Sequence, residues 1–377
     1  MQKQYLKTLL NRLTILLLLI FSTVKGQQNG SIYGFVTDSS SGEALIGANV
    51  FINDIGAGMA TDVNGYYVLQ NIEPGYYSII VSYVGYELLE KKIVIIENES
   101  KKLDLVLLEE VVSLTEIEVT AEKIKRKNNI QPSTVNLSPR MLRSAPALAE
   151  PDLFRTIQAL PGVLTTSEFS TGLVIRGGNT DQNLILLDGV TVYNPSHLGG
   201  IFSNFIVDGV KEAELIKGAY NAEYGGRLSA VLNVISREGN RNEFKGKASV
   251  SLLSAQTTLE GPLYKGAWVL SGRRTYFDLV LPLVLPENIA ENIPPYYFYD
   301  IQGHIFTDVT PKDRLSLSYY SGIDDIIFDT FGLDGRWGNN TFSTHYRRVF
   351  SERLVGNFLI ANSKFFTRFG LGGSYGL

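Results

Sequence analysis

The chain has 377 residues, 34 Lys plus Arg against 38 Asp plus Glu, and no cysteine. Nearly balanced charge argues against a nucleic-acid partner, which would need a Lys/Arg-rich patch to neutralise phosphates. The missing cysteine excludes disulfides, thiolate metal sites, a cysteine nucleophile and an N-terminal lipid anchor. With 36 Gly, 20 Tyr and 19 Phe, the composition favours turns and strands over helical bundles, and the length suits about two or three domains.

Lys3, Lys7 and Arg12 precede an apolar run, LTILLLLIFSTV, from Leu13 to Val24. Its length of about a dozen residues matches a signal-peptide core, whereas a membrane-spanning helix needs about 20. Residues 1–26 are therefore predicted to be a signal peptide cleaved near Gly26, leaving an exported chain. No later stretch reaches about 18 consecutive apolar residues, so a second encounter with a membrane is expected to use strands.

Residues 27–108 hold short β-rich runs (SIYGFVT, ANVFIND, YYVLQNI, YYSIIVSYV, KKIVII and KLDLVLL) separated by DSSSGE, DVNG, EPG and ENES. Close spacing of strands and turns predicts a β-sandwich. In TDVNGYY (Thr61 to Tyr67), Asp62 and Asn64 stand two apart before a glycine, but the remaining ligands of a calcium loop are missing, so a hairpin turn is expected. The stretch from GFVTDSSSGEALIGANVF to YSIIVSYVGYE resembles the carboxypeptidase-regulatory-like, transthyretin-type sandwich that precedes the transport machinery in Bacteroidetes-type outer-membrane receptors. The resemblance implies no peptidase activity, and no zinc-binding set is present.

Residues 109–130 change character. Ile117, Val119 and Ala121 alternate with Glu116, Glu118 and Thr120 before a basic tract, which reads either as a linker or as an edge strand offered to a partner by β-augmentation. The segment Thr115, Glu116, Ile117, Glu118, Val119, Thr120 and Ala121 resembles the TonB box, the energy-coupling segment of TonB-dependent receptors.

Across residues 131–237, EPDLFRTIQALPGV (Glu150 to Val163) predicts a short helix with Pro151 in its first turn. Leu153, Ile157 and Leu160 share one face, and Pro161-Gly162 stops it. ILLDGVTVY predicts a hairpin through Asp188-Gly189; VKEAELIKG and SAVLNVIS add two strands. LPGV, IRGG, NLILLDGVTVYNPSH and VKEAELIKGAYNAEYGGRLSAVLNVISREG together resemble the plug domain of TonB-dependent outer-membrane receptors. A plug is a mixed α/β domain inside a β-barrel, so the resemblance implies that the wall covers the apolar Leu184–Leu187. Arg176 and Arg227 lie beside the glycine pairs Gly177-Gly178 and Gly225-Gly226. They are expected either to clamp the plug to acidic wall groups or to sit in solvated loops, and the glycines to let plug backbone approach the wall.

Residues 238–377 turn to period two. Val250 and Leu252 alternate with Ser249 and Ser251; Tyr299 and Ile301 with Asp300 and Gln302; Leu315 and Leu317 with Arg314 and Ser316. Apolar-out, polar-in segments of about ten residues are the signature of transmembrane barrels, and this stretch supplies roughly six to eight of them. That is too few to enclose a plug, so the chain is expected to be the N-terminal portion of a longer receptor. The predicted fold is mainly β: sandwich, α/β plug, then the first strands of an incomplete transmembrane β-barrel.

No catalytic constellation is present, and neither enzyme activity nor a cofactor is expected. His197, His304 and His345 are scattered without metal-ligand spacing and are read as side chains on polar strand faces. SGIDDIIFDTFGLDGRWGNN, with Asp324, Asp325, Asp329 and Asp334, reads as a solvated loop before a cation or substrate site. Arg273 and Arg274 read as a charged rim, and N-x-S/T matches at Asn29, Asn98 and Asn339 as chance.

The resemblance implies import of a scarce small solute, an outer-membrane location with the sandwich in the periplasm, and the TonB complex and outer-membrane lipids as partners. Relatives of the starch-utilisation type add a surface lipoprotein lid. IRGGNTDQNLILLDGV looks like the lid-free branch, so that partner is left open. The rival reading is a non-transporting secreted or surface-bound β-domain that binds or adheres.

Overall fold

The computed structural model describes residues 29–110, 133–144, 150–167, 170–286, 294–328, 333–351 and 354–371. The predicted signal peptide (1–26), the segment Thr115–Ala121 and Asp329 lie outside the described residues. The chain divides into two compact units, one running to Val36 and resuming over Ile46–Leu105, the other holding Thr37–Leu45 and Val106 onward.

The first unit is built from β1 (Gly30–Asp38), β2 (Asn49–Ile52), β3 (Ala57–Ala60), β4 (Tyr66–Ile72), β5 (Gly75–Ser82), β6 (Leu89–Ile95), β7 (Ser100–Lys102) and β8 (Leu105–Leu107). They form two four-stranded sheets, β4-β1-β7 with β8 beside β1, and β3-β2-β5-β6. Alternation buries one face of each: Ile32 and Val36 on β1, Val50 and Ile52 on β2, Ile79 and Val81 on β5. The TDVNG turn joins β3 of one sheet to β4 of the other, so it is a corner rather than a hairpin. The Asp62 carboxylate accepts the Asn64 and Tyr66 amides at 2.8 and 2.9 Å. An Asx turn therefore accounts for the Asp-x-Asn spacing.

The second unit opens with a mixed α/β domain: β9 (Thr134–Leu137), α1 (Pro139–Ser144), α2 (Leu153–Gln158), β10 (Val163–Thr165), β11 (Leu173–Ile175), β12 (Leu184–Leu187), β13 (Val190–Thr191), β14 (Ser196–His197), β15 (Phe202–Ser203), β16 (Val210–Ile216) and β17 (Val231–Ser236). Its main sheet runs β13-β12-β17-β16-β9, with β12 and β17 parallel. Asp188 (φ 49°) and Gly189 (φ 79°) both adopt the left-handed region, as the two-residue turn pairing Leu187 with Val190 demands. At α2 the cap is Asp152, whose Oδ1 accepts the Phe154 and Arg155 amides at 2.8 and 3.0 Å. Pro151 therefore precedes the cap and does not occupy the first turn.

Seven antiparallel strands follow in sequential order: β18 (Lys245–Val250), β19 (Ser254–Leu263), β20 (Gly266–Thr275), β21 (Tyr296–Thr310), β22 (Asp313–Phe328), β23 (Leu333–Ser351) and β24 (Leu354–Leu371). They form a wall with two chemically distinct faces. Phe298, Asp300, Gln302, Tyr320, Asp324, Asn339 and Thr341 are buried toward the α/β domain, while Leu270, Ile301, Leu317, Tyr319, Phe342 and Ile360 are exposed on the other side. Two-residue turns join β19 to β20 and β21 to β22; the β20–β21 connection is long and contains α3 (Phe277–Val284). No helix among the described residues is long and apolar enough to cross a membrane.

The cover of β12 departs from expectation. Ile185 and Leu187 share a core cluster with Leu153, Phe154 and Ile157 of α2, and Tyr320 is the one wall residue in it. On the opposite face Leu184 and Leu186 pack with Ile216 and Val231 beneath Tyr220 and Tyr224. Both faces are thus covered mostly by the α/β domain itself. The helix that does this is distant in sequence, which is why local reading misses it. Leu187→Ala should cost about 2–5 kcal/mol and speed amide exchange through β12 and β17. Unchanged protection by hydrogen–deuterium exchange would show that this core does not hold the domain.

Candidate functional site: the interface of the α/β domain and the wall

β14 and β15 pair as a short ribbon with His197 opposite Phe202. The connection runs through Leu198 (φ 49°), Gly199 (φ 63°) and Gly200 (φ 105°). This places the His197 ring in the wall, fully buried and stacked on Phe298 at 4.1 Å. Nε2 lies 2.8 Å from Asp300 Oδ1 and Nδ1 lies 2.7 Å from Asp324 Oδ2. Asp324 also accepts the Leu198 amide at 3.0 Å and the Tyr296 hydroxyl. Asp300 accepts Tyr320 Oη at 2.8 Å and Arg273 Nε at 2.9 Å. Arg273 continues the chain, donating from Nη1 to Glu150 Oε1 and from Nη2 to the Ser203 carbonyl, each at 2.7 Å.

Each ring nitrogen of His197 faces a carboxylate oxygen, an arrangement that suits an imidazolium donating from both. Burial alone would depress its pKa, but Asp300 and then Asp324 outweigh that and move it upward. Three carboxylates, Glu150, Asp300 and Asp324, thus share two cations, Arg273 and His197, all out of water.

A second charged layer surrounds Glu238, just after β17. Its carboxylate meets Arg314 at 3.2 Å and Lys211 at 3.6 Å. Burial pushes the Glu238 pKa up, but Lys211 and Arg314 pull it down to about 2. Arg237 pairs with Glu260 at 2.6 Å, and Asp208 receives Lys247 at 2.7 Å and Arg143 at 3.1 Å. Main-chain carbonyls add to the interface: Thr191 accepts from Ser363 at 2.6 Å and Asn194 from Asn339 at 2.7 Å.

The residues singled out from sequence occupy varied positions. Asp188 accepts the Ser236 amide and hydroxyl at 2.8 and 2.7 Å, with His304 Nδ1 at 4.0 Å. A Cβ on Gly189 would stand 3.2 Å from Leu359 of the wall. Arg176 is exposed and donates to Ser133 Oγ at 3.0 Å, while Arg227 donates to the Gly226 carbonyl at 3.2 Å. Neither forms an ion pair among the described residues, so the expectation that they clamp the domain to the wall is corrected. Their turns lie where the guanidinium can be solvated, and no buried partner is required. Nor do the adjacent glycines approach the wall. Gly177, Gly225 and Gly226 have no atom within 4 Å of a notional Cβ, and Gly178 faces Ser229 of its own domain. Close approaches to the wall fall at Gly209, where a Cβ would stand 2.9 Å from Ser271 Oγ, and at Gly239 just after β17, where it would stand 2.3 Å from the Trp268 carbonyl oxygen.

Three other sequence readings also change. Arg273 is buried, not a rim residue; His197 is buried, not on a polar strand face; and Asp324 lies within β22, not in a solvated loop. Arg273 and Asp300 stand directly opposite in register on the polar phase of β20 and β21. Phase plus register is the signal that could have found them. Among the described residues no group of three or more His, Asp or Glu is placed to hold a metal ion.

Removing Arg273 as Arg273→Ala leaves Asp300 and Glu150 uncompensated, which should cost about 3–5 kcal/mol and open residues 150–203 to protease. Unchanged cleavage would count against a latch here. The pH response should be two-sided. The raised pKa of His197 means that its stabilisation is full below its ordinary value of 6.5 and lost as pH climbs through the raised value. Glu238, lowered from 4.5 to about 2, stabilises above 4.5 and loses this as pH falls through that interval. Amide exchange of residues 197–203 should accelerate on the alkaline side in the parent chain, and His197→Gln should remove that step.

Residues 32–119 match the family described as CarboxypepD_reg-like domain, and residues 119–231 match the TonB-dependent Receptor Plug Domain. The siderophore receptor PirA from Pseudomonas aeruginosa is similar at 18% identity, covering 63% of this chain and 41% of its own, with TM-score 0.47. A mutant of the ferric enterobactin receptor PfeA from the same organism gives 20% identity, 65% and 42% coverage and TM-score 0.46. The hemophore receptor HasR of Serratia marcescens, in complex with its hemophore and heme, gives 13%, 64%, 39% and 0.48. The chain spans about two fifths of the length of these structures. The α/β domain is the plug of a TonB-dependent receptor, and the sandwich before it in sequence is a CarboxypepD_reg-like domain.

Proposed function

We propose that the chain is the N-terminal portion of an outer-membrane receptor that imports a scarce solute into the periplasm. One observation carries this reading: a plug with its own apolar core meets, through buried charges, a strand wall whose other face is apolar. A wall of that polarity suits lipid outside and a polar filling inside. Solute binds from outside, at the plug apices and the long wall connections. The TonB complex pairs with Thr115–Ala121 and pulls, part of the plug moves, and a path opens along the wall.

In this scheme residues 1–26 direct export, and the sandwich stays in the periplasm. The polar plug–wall contacts are the ones that yield, because separated ions can be rehydrated as water enters, whereas the plug core has no such compensation.

Fractionation of the native product is the first test. Recovery in the outer membrane with heat-modifiable migration supports a receptor, while soluble material supports a secreted binding domain. Deleting residues 115–121 should then abolish energised uptake without lowering the amount inserted. Uptake that survives the deletion would rule out coupling through this segment.

A further inference from the structure

Residues 237–244, between β17 and β18, are the covalent link from plug to wall, and they are gripped from two sides. On the wall side Arg237 pairs with Glu260 at 2.6 Å, Glu238 with Arg314 at 3.2 Å and Arg241 with Asp308 at 2.8 Å. The main chain of Gly239 lies against the Trp268 carbonyl.

The other side is closed by Thr37–Leu45, which carries the turn after β1 and belongs to the second unit. Glu43 Oε1 accepts the Glu238 and Gly239 amides at 2.8 and 2.9 Å, and the Glu238 carboxylate accepts the Ala44 amide at 3.2 Å. The Ser41 carbonyl accepts the Arg241 amide at 2.8 Å, and the Ser40 carbonyl accepts Asn242 Nδ2 at 3.0 Å. The turn is itself closed. Asp38 Oδ2 accepts Ser40 Oγ and the Ser41 amide at 2.6 and 2.8 Å, and the Asp38 amide donates to the Glu43 carbonyl at 2.8 Å.

This end of the plug departs from the rest of the seat. At the His197 node two surfaces meet, and water can replace each bond as they part. At the link three meet, and main-chain amides of Glu238 and Gly239 are held by a carboxylate, a stronger bond than a neutral pair makes. To free these residues the turn and the wall must let go together.

Resting on the reading that the plug moves during import, we infer that residues 39–44 clasp the link and make it the fixed end of the plug. Motion is then confined to the chain before β17. Glu43 is the positioning residue, acting through the main chain of Glu238 and Gly239.

The test follows hydrogen exchange, residue by residue, in the native product in neutral detergent through a urea series below global unfolding. In the parent, the amides of Glu238, Gly239 and Arg241 should stay protected at urea concentrations that open residues 197–203 and β9. Glu43→Ala should speed exchange at these amides about tenfold. Glu43→Gln keeps the accepting oxygen without the charge that faces Arg237 at 3.6 Å, and should retain most of the protection. Glu243→Gln, which removes an exposed partner of Lys245 at 3.0 Å, should change nothing. Opening of the three amides together with residues 197–203 in the parent overturns the fixed end. So does parent-like exchange in Glu43→Ala, or an equal gain in Glu243→Gln. Exchange in Glu43→Gln as fast as in Glu43→Ala assigns the hold to the Arg237 ion pair and overturns the main-chain clasp. A product found only in the soluble fraction would sink the receptor reading, whereas slow exchange at the three amides would still establish the clasp.

Discussion

Glu150, Asp300 and Asp324 are three carboxylates withdrawn from water at one place, and among the described residues Arg273 and His197 balance them. Two of the five come from the plug, far apart in its sequence, and three from neighbouring wall strands. Such a set tolerates no slip. A one-residue shift in the pairing of β20 with β21 would turn Arg273 or Asp300 outward, and the remaining charges would be stranded. Buried ion pairs contribute little net stability against apolar alternatives. Their value here is positional: they define a single seat for the plug.

The plug and its seat are held by different physics. Inside the plug, Leu153, Phe154, Ile157, Ile185 and Leu187 form an apolar core that has no reason to open to water. At the seat, polar contacts run from the His197 node to the Glu238 layer and the carbonyls of Thr191 and Asn194, beside one apolar cluster in which Leu198, Ile201 and Phe202 pack against Tyr296, Phe298 and Trp337. Water that enters a polar interface replaces the contacts it breaks, and the cost of parting stays modest.

Much of this was legible in the sequence, and the failures share a cause. The Asp188-Gly189 turn, the strands at Val210–Ile216 and Val231–Ser236, and the in–out phase of Asp300 against Ile301 are local properties, set by backbone conformation and by period. The identity of an ion partner is not local. Arg176 stands out beside two glycines yet meets only Ser133, while His197, with nothing unusual around it, sits between two aspartates. Asp324 was obscured for a related reason. Two adjacent strands whose inner faces are polar, β22 interrupted by Gly322 and β23 by Gly335 and Gly338, have the composition of a loop. Helix α3 is hidden because its eight residues, apolar but for Asp278 and interrupted by Pro282, fit neither period.

The covering of β12 explains why the plug can be read as an ordinary domain at all. The wall's inward apolar side chains, Tyr296, Phe298 and Trp337, pack with Leu198, Ile201 and Phe202 and not with β12. The strand Leu184–Leu187 is buried on both sides because α2 and the Tyr220–Tyr224 turn bring the cover from within, and Tyr320 is a local exception. The plug's surface charges, which water would otherwise screen, become specific bonds to the wall.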